Sequence, residues 1–373
     1  MLTSSQRIGK TIGIIGGGQL GRMMATTARH MGYRLIILDP TPDCPAAQLA
    51  DHQIVAPYDD LNAIKQLAEQ VDLVTYEFEN VDLNTARYLE ARGLLPQGTK
   101  ALEVTQDREI EKSLMVELNQ PVAKFQMIKQ KQDFTSAMER IGFPAVVKTC
   151  RGGYDGKGQL MLKSADDLQA AEALLEKSQR LIYEQLIKFD CEVSIVLTRS
   201  KTGDILYFPV AENHHRDHIL HMTIAPARIS ASVMKKIKQA AEAIATALNV
   251  VGTFAIEFFV KGDEIYINEL APRPHNSGHF TIEACNVSQF EQHIRAICDL
   301  PLIPVLFHGG AVMINLLGDN LEVYLTRINQ FKQAHFHYYG KKDIEPKRKM
   351  GHITCVAHNR DQLIETLKKQ QFI

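Results

Sequence analysis

The sequence predicts a mixed α/β and α+β protein in three parts: a doubly wound parallel layer over residues 1–103, an antiparallel α+β body over 104–298, and a small β-rich module over 299–373. Three observations carry this. In the first part, short apolar runs alternate with helical patterns, the mark of βαβ units and a parallel sheet. From about Val104, helix candidates instead separate hairpin-like strands. A Pro-flanked stretch, Asp299-Leu300-Pro301-Leu302-Ile303-Pro304, then reads as a linker into a last module. A length of 373 residues, at roughly 100–200 per domain, agrees with two or three domains.

Taken in order, residues 11–15 form an apolar run ending at Gly16, and 20–31 have a helical pattern. A second run covers 34–38 and stops at Asp39-Pro40. Ile54-Val55 is a weak third strand, 61–70 a helix and 72–76 a fourth strand. The right-handed crossover rule makes this an open doubly wound layer. In the body, helix candidates cover 107–119, 134–141, 166–177 and 233–248. Strand candidates cover 145–148, 159–162, 181–184, 192–196, 205–208, 253–260 and 264–270.

Composition excludes several classes. Forty-two Lys+Arg against 43 Asp+Glu leave a formal charge of -1, so no basic field marks a nucleic-acid binder. No apolar run approaches the ~18–20 residues of a membrane helix, and residues 1–7 contain no apolar core of a secretory leader. Cys44, Cys150, Cys191, Cys285, Cys298 and Cys355 include no C-x-x-C pair and read as reduced thiols, which points to a cytoplasmic protein.

Two glycine-rich loops invite chemistry. Gly16-Gly17-Gly18-Gln19-Leu20-Gly21 fits G-x-G-x-x-G between a strand and a helix, with Asp39 closing the next strand. Glycines there let backbone approach a phosphate at a helix start, and the acid suits a ribose hydroxyl. The motif licenses an anion site; a nicotinamide nucleotide, another phosphorylated ligand and a ligand-free turn all remain open. Gly9-Lys10-Thr11 is no Walker A loop, because Ser4 stands where its first glycine belongs and the tripeptide precedes the strand. The second loop, 149–158, follows the strand ending in Lys148. It holds Gly152, Gly153, Gly156 and Gly158 with Arg151 and Lys157, far more glycine than a hairpin needs. Free N–H groups and cations are equipment for covering a polyphosphate; the bland reading is a charged surface loop.

A third feature is an acid inside each of two apolar strands, Glu257 in 253–260 and Glu269 in 264–270. A two-residue Gly262-Asp263 turn pairs Glu257 with Asn268, whereas a three-residue loop, Gly262-Asp263-Glu264, pairs it with Glu269. Opposed carboxylates repel unless a cation sits between them, and hard oxygen ligands beside a nucleotide mean Mg²⁺. The alternative is two acids on a sheet rim.

Lys148 before a glycine-rich loop, Glu184-Gln185-Leu186-Ile187, Glu257 and Asn268-Glu269 resemble the ATP-grasp superfamily in order and spacing. The resemblance narrows through 17–23, 152–158, Asn268-Glu269-Leu270-Ala271-Pro272-Arg273-Pro274-His275-Asn276-Ser277-Gly278-His279 and Arg348-Lys349-Met350-Gly351-His352. These blocks are similar to those of the bacterial 5-(carboxyamino)imidazole ribonucleotide synthases of purine biosynthesis, from about Ile12 to His352. The resemblance implies an ATP-grasp fold with a Rossmann-like preATP-grasp domain and a small C-terminal domain. It implies an ADP-forming ligase that uses ATP and bicarbonate to carboxylate 5-aminoimidazole ribonucleotide through carboxyphosphate, with Mg²⁺ (two ions) and a homodimeric assembly.

Roles implied by the resemblance follow residue by residue. Lys148 and Arg108 contact ATP phosphates, and Gly153, Tyr154, Asp155, Gly156, Lys157 and Gly158 cover the triphosphate, with Tyr154 also toward substrate. Glu184, Gln185, Leu186 and Ile187 read adenine; Glu192 holds ribose hydroxyls, or is merely a solvated acid; His215 and Asn268 lie near ATP. Glu257 and Glu269 bind Mg²⁺. Arg273, His275 and Asn276, with Lys148, carry catalysis and hold carboxyphosphate and the aminoimidazole. Gln19 and Leu20, with Arg348 and Lys349, bind the 5′-phosphate, and Glu77 at the end of the fourth strand meets substrate or solvent. His214, His215, His218 and His221 have helical metal spacing, but their flanks look extended, which argues against zinc. The rival readings are a formate-dependent ribonucleotide transformylase or other ATP-grasp carboxylase, a nicotinamide-dependent dehydrogenase, and a non-enzymatic nucleotide-binding regulator.

Overall fold

The computed structural model describes residues 9–152, 158–330 and 332–373. The N-terminal layer runs β1 (Thr11–Ile15), α1 (Gln19–His30), β2 (Arg34–Leu38), β3 (His52–Ile54), α2 (Leu61–Ala68), β4 (Leu73–Tyr76) and α3 (Leu83–Glu90). Its strands form a parallel sheet in the order β3-β2-β1-β4. β3 lies two residues earlier than Ile54-Val55 suggests, because Val55 is exposed and only Ile54 reaches the core. α3 has no strong apolar stripe in the sequence; Asp82 starts it by accepting the Thr85 N–H at 2.9 Å.

The body continues with α4 (Lys100–Thr105), α5 (Arg108–Glu117), β5 (Phe125–Ile128), α6 (Asp133–Ile141), β6 (Ala145–Thr149), β7 (Gln159–Leu162), α7 (Leu168–Ser178) and β8 (Leu181–Gln185). β5, β8, β6 and β7 make a small antiparallel sheet in that order. Next come β9 (Cys191–Arg199), β10 (Ile205–Tyr207), β11 (Ala211–Arg216), β12 (Ile219–Ala225), α8 (Ala231–Leu248), β13 (Gly252–Lys261), β14 (Glu264–Ala271), α9 (Thr281–Ala284) and α10 (Gln289–Ile297). The chain ends with β15 (Gly310–Leu317), α11 (Leu321–Arg327), β16 (Ala334–Tyr338), β17 (Lys349–Ala357) and α12 (Arg360–Lys369). A large sheet runs β14-β13-β9-β11-β12-β15-β17-β16, with β10 on β9. The strands after the 299–304 linker therefore extend the body's sheet, through antiparallel pairs such as Met222 with Ile314.

Helical periodicity explains the covering of this sheet. α8 buries Val233, Ile237, Ala240, Ala241, Ile244, Ala245 and Leu248, one stripe at i, i+3 and i+4 spacing, against Phe254, Ile256 and Phe258. Ser230 caps its start and Asn249 ends it in a left-handed conformation (φ 51°, ψ 40°). The three parts share cores. Phe290, Ile294 and Ile297 of α10 pack with Met23, Met24 and Ala28 of α1, so a body helix covers one face of the N-terminal sheet. That contact fixes the glycine-rich start of α1 beside the face of the body that carries Glu257 and Glu269.

Candidate active site

A cavity of about 760 Å³ opens between the small sheet, the large sheet and the carboxyl edge of the parallel layer. From the small sheet, β6 supplies Lys148 and β8 supplies Glu184, whose Oε2 lies 2.6 Å from Lys148 Nζ. Burial alone would raise the Glu184 carboxyl, but Lys112, Lys148 and Arg108 outweigh it and hold it at about 2. Gln185, Leu186 and Ile187 continue along the same wall with Gly158 opposite. Gly153, Tyr154, Asp155, Gly156 and Lys157 lie outside the described residues. The loop base is nonetheless fixed: Arg151 Nε is 2.9 Å from Asp107 Oδ2, and the Arg108 N–H donates to Cys150 O at 3.0 Å.

From the large sheet, Glu257 pairs with Glu269 across β13 and β14. The pairing arises differently from either turn considered in the sequence. The turn is the two-residue one, since Lys261 pairs with Glu264, but the register shifts between Glu257 and Phe258 and leaves Asn268 unpaired as a bulge. One extra residue in β14 returns Glu269 to the face of Glu257. Burial, and then the Glu269 charge, push the Glu257 carboxyl up to about 8, although His215 and Lys349 pull it down. Two opposed, half-buried carboxylates fit a divalent cation, which would remove that repulsion.

Beside this pair, Glu192 Oε2 lies 2.8 Å from His215 Nδ1. Burial disfavours charge on His215, but Glu192, Glu257 and Glu269 together raise it above the usual histidine range. Glu192 is thus a partnered cavity acid rather than a solvated one. The four-histidine segment is extended, as its flanks suggest: β11 and β12 form a hairpin whose turn, Asp217-His218, has both residues at left-handed φ (49° and 65°).

After β14, the chain carries Arg273, His275 and Asn276 into the cavity. Arg273 is tied through Nε to Glu79, which stays ionised beside it. The His275 N–H donates to Gln289 Oε1 at 2.8 Å, and Gln289 Nε2 returns a bond to His275 O at 2.7 Å. Ser277 meets the His275 ring at Nδ1 (Oγ at 2.8 Å), which leaves Nε2 facing Glu257 Oε1 at 3.5 Å. Burial, then Arg273, Lys349 and His215, hold His275 well below the usual range, so the ring is neutral. Both side-chain amide atoms of Asn276 are buried without a hydrogen-bond partner among the described residues, which leaves them ready for a ligand.

The parallel layer closes the far end with Gln19, Leu20 and Glu77. Here the structure answers the dinucleotide reading. Asp39 is buried and its carboxylate accepts from Gly17 N–H (2.7 Å), Thr41 N–H (2.8 Å) and Tyr58 OH (2.7 Å), so it is committed to holding the turn. The anion at the helix start is the chain's own: Glu77 Oε1 accepts from Gly18 N–H and Oε2 from Gly21 N–H, both at 2.6 Å. Glu77 is therefore neither a solvated loop acid nor simply available. Lys349 lines the cavity and Arg348 is absent from its described lining; the Arg348 Nη1 donates to Asp343 O at 2.9 Å.

Some cavity residues escaped the sequence. Phe189 and Phe259 stack with centroids 4.6 Å apart and 4° between planes, beside Ile187 and Ile267. Phe259 was findable, because strand alternation puts it on the face of Glu257. Lys112, in the cavity wall, and Lys341, outside its described lining but near enough to Glu77 and Lys349 to feel their charges, carried no signal: each sits in a charged run that reads as solvent-facing. Lys341 is pushed down to about 8, by burial first and then by Arg348, with Glu77 opposing.

Comparison with known proteins places these features in a lineage. An ATP-grasp domain model matches residues 113–290, a ribonucleotide synthetase preATP-grasp domain matches 9–106, and a phosphoribosylaminoimidazole carboxylase C-terminal domain matches 311–366. The N5-carboxyaminoimidazole ribonucleotide synthase of Bacillus subtilis is 45% identical over 360 residues, covering 96% of this chain and 94% of the relative. A crystal structure of the Staphylococcus aureus N5-carboxyaminoimidazole synthetase with ADP matches with TM-score 0.93 and 41% identity, covering 97% of each chain. The Aspergillus clavatus synthase with ADP and 5-aminoimidazole ribonucleotide matches with TM-score 0.90 and 28% identity, also over 97% of each.

Proposed function

This chain belongs to the family of N5-carboxyaminoimidazole ribonucleotide synthases, and on that premise we propose how its residues carry out the reaction. It is an ADP-forming, ATP-dependent ligase of purine biosynthesis that N-carboxylates 5-aminoimidazole ribonucleotide. Bicarbonate is the carbon source. Its oxygen attacks the γ-phosphorus, ADP leaves, and the carboxyphosphate so formed gives its carbon to the exocyclic amine, directly or as CO₂, releasing phosphate. With no covalent enzyme intermediate, catalysis is positioning and charge neutralisation.

The observation that carries this reading is that one cavity holds both the Lys148–Glu184 pair and the opposed Glu257 and Glu269. Lys148 and Arg108 neutralise the phosphates, while Phe189, Phe259, Leu186 and Ile187 form an apolar bed for adenine. Glu257 and Glu269 would hold Mg²⁺, two ions with ATP, and the metal would supply charge neutralisation at the transferring phosphoryl group. Asn268 and His215 face the polyphosphate, and Glu192, through His215, orders that edge of the ribose site. Gly153 to Gly158 cover the triphosphate, with Tyr154 toward the ribonucleotide. Arg273 and Asn276 orient carboxyphosphate, and neutral His275 exchanges a proton at Nε2. Lys349, with Lys341, Arg348 and the N–H groups at Gln19 and Leu20, holds the 5′-phosphate. Glu77 occupies the rest of that helix start and faces the ribose or amine. The enzyme works as a cytoplasmic homodimer, which sedimentation of the purified chain tests.

ADP release, measured with bicarbonate and 5-aminoimidazole ribonucleotide added singly and together, tests the reaction. Full rate should need both. A rate restored by formate in place of bicarbonate would favour the transformylase reading instead.

A further inference from the structure

The bulge in β14 needs an explanation, because an antiparallel pair grown from the two-residue turn would match Glu257 with Asn268 and turn Glu269 to the opposite face. β14 is the edge strand of the large sheet, and its outward-facing backbone groups on either side of the bulge find partners in the segment 111–121. Lys112, on α5 and only 2% exposed, donates from Nζ to Ile267 O (3.2 Å) and Asn268 O (3.1 Å). Glu111, on the same helix, accepts the Leu270 N–H at 2.8 Å, and Pro121 O accepts the Ile267 N–H at 2.8 Å. Buried main-chain groups on a sheet edge and at a bulge must be satisfied outside the ladder, and in the bulged register α5 meets those it presents on both sides of Asn268. The same helix reaches the other wall of the cleft. Lys112 Nζ lies 3.4 Å from Glu184 Oε1, and the Arg108 N–H bonds Cys150 O at the base of the glycine-rich loop.

We propose that Glu111 and Lys112 are positioning residues that hold β14 in the bulged register, so that Glu269 stands opposite Glu257 as a divalent-cation site tied to the Lys148–Glu184 wall. Neither touches the reacting atoms. The inference rests on Glu257 and Glu269 being the metal ligands. Removing either grip frees the strand to slip toward the unbulged pairing, which separates the two carboxylates without altering either.

The test uses the full chain with ADP and Mn²⁺ as probe, reading free Mn²⁺ by electron paramagnetic resonance and Leu270 amide exchange by NMR. Lys112→Met and Glu111→Leu should each weaken Mn²⁺ binding tenfold or more and speed Leu270 exchange. The KM for 5-aminoimidazole ribonucleotide should stay within twofold. Glu111→Gln, which keeps an oxygen for the Leu270 N–H, should bind Mn²⁺ within threefold of the parent. If Lys112→Met does not fold, the contrast between Glu111→Leu and Glu111→Gln decides by the same readouts. Unchanged Mn²⁺ affinity and unchanged Leu270 exchange in the folded variants would overturn the proposal alone. Glu269→Gln is the control: if it binds Mn²⁺ like the parent, the metal assignment falls and the proposal with it.

Discussion

At the scale of single residues, most charges of the site are paired within the chain, and the opposed Glu257 and Glu269 are the like-charge exception. Glu257 is raised to about 8 chiefly by burial and then by Glu269. A carboxyl that binds its proton more tightly folded than unfolded makes the metal-free protein lose stability as pH rises from the ordinary carboxylate range through about 8. Glu269→Gln removes the repulsion, so its metal-free form should melt no lower than the parent at pH 8, while kcat falls ~100-fold or more for want of several kcal/mol of charge stabilisation. Calorimetry and turnover read these separately; near-normal kcat would remove Glu269 from the metal site. Lys341 gives a second pH effect. Its ammonium is protonated below about 8 and neutral above it, so kcat/KM for the ribonucleotide should fall as pH rises through that value. Lys341→Arg, which stays charged, should flatten the profile. The acids were readable in the sequence because a charge inside an apolar strand is costly and needs a reason. The lysines were not. Lys112 sits in Arg108-Glu109-Ile110-Glu111-Lys112, which resembles a solvated helix face, and only the fold shows that α5 turns Glu111, Lys112 and Met115 inward.

At the scale of elements, hydrophobic period found the strands and helices with strong apolar patterns and missed those whose partners are distant. β5 is only partly buried except at Ile128, and α10 pairs its apolar face with α1, far away in sequence. The glycine-rich start of α1 was legible as an anion site, yet its occupant was not, since Glu77 comes from the end of β4. Gly18 is required there: a Cβ would stand 2.6 Å from Glu77 Oε1. Gly18→Ala should therefore displace the Glu77 carboxylate, lower stability by about 1–3 kcal/mol and raise the KM for the ribonucleotide more than that for ATP. Denaturant unfolding and initial rates check it, and equal rises in both KM values would mean the α1 start does not belong to the ribonucleotide.

At the scale of the whole molecule, the Pro-flanked linker suggests a module that could be detached, whereas the large sheet runs unbroken from β14 to β16. Truncation before β15 would uncover the edge of β12, so a chain ending at residue 308 should aggregate rather than retain the ATP site, as a solubility assay would show. The continuity also carries Lys349, at the start of β17, to a cavity otherwise made by the first three hundred residues. Arg348→Ala with Lys349→Ala should raise the KM for 5-aminoimidazole ribonucleotide tenfold or more, about 1.5–3 kcal/mol for charge-assisted contacts, and leave that for ATP nearly unchanged.

All three scales meet in one claim: bicarbonate, ATP and the ribonucleotide react in a single cavity through carboxyphosphate. The most direct measurement follows oxygen. With ¹⁸O-labelled bicarbonate, ATP, Mg²⁺ and 5-aminoimidazole ribonucleotide, mass spectrometry of the released phosphate should find one ¹⁸O per turnover, because the attacking oxygen stays on phosphorus when the C–O bond breaks. Phosphate free of ¹⁸O, with the carboxylated product still formed, would contradict the account.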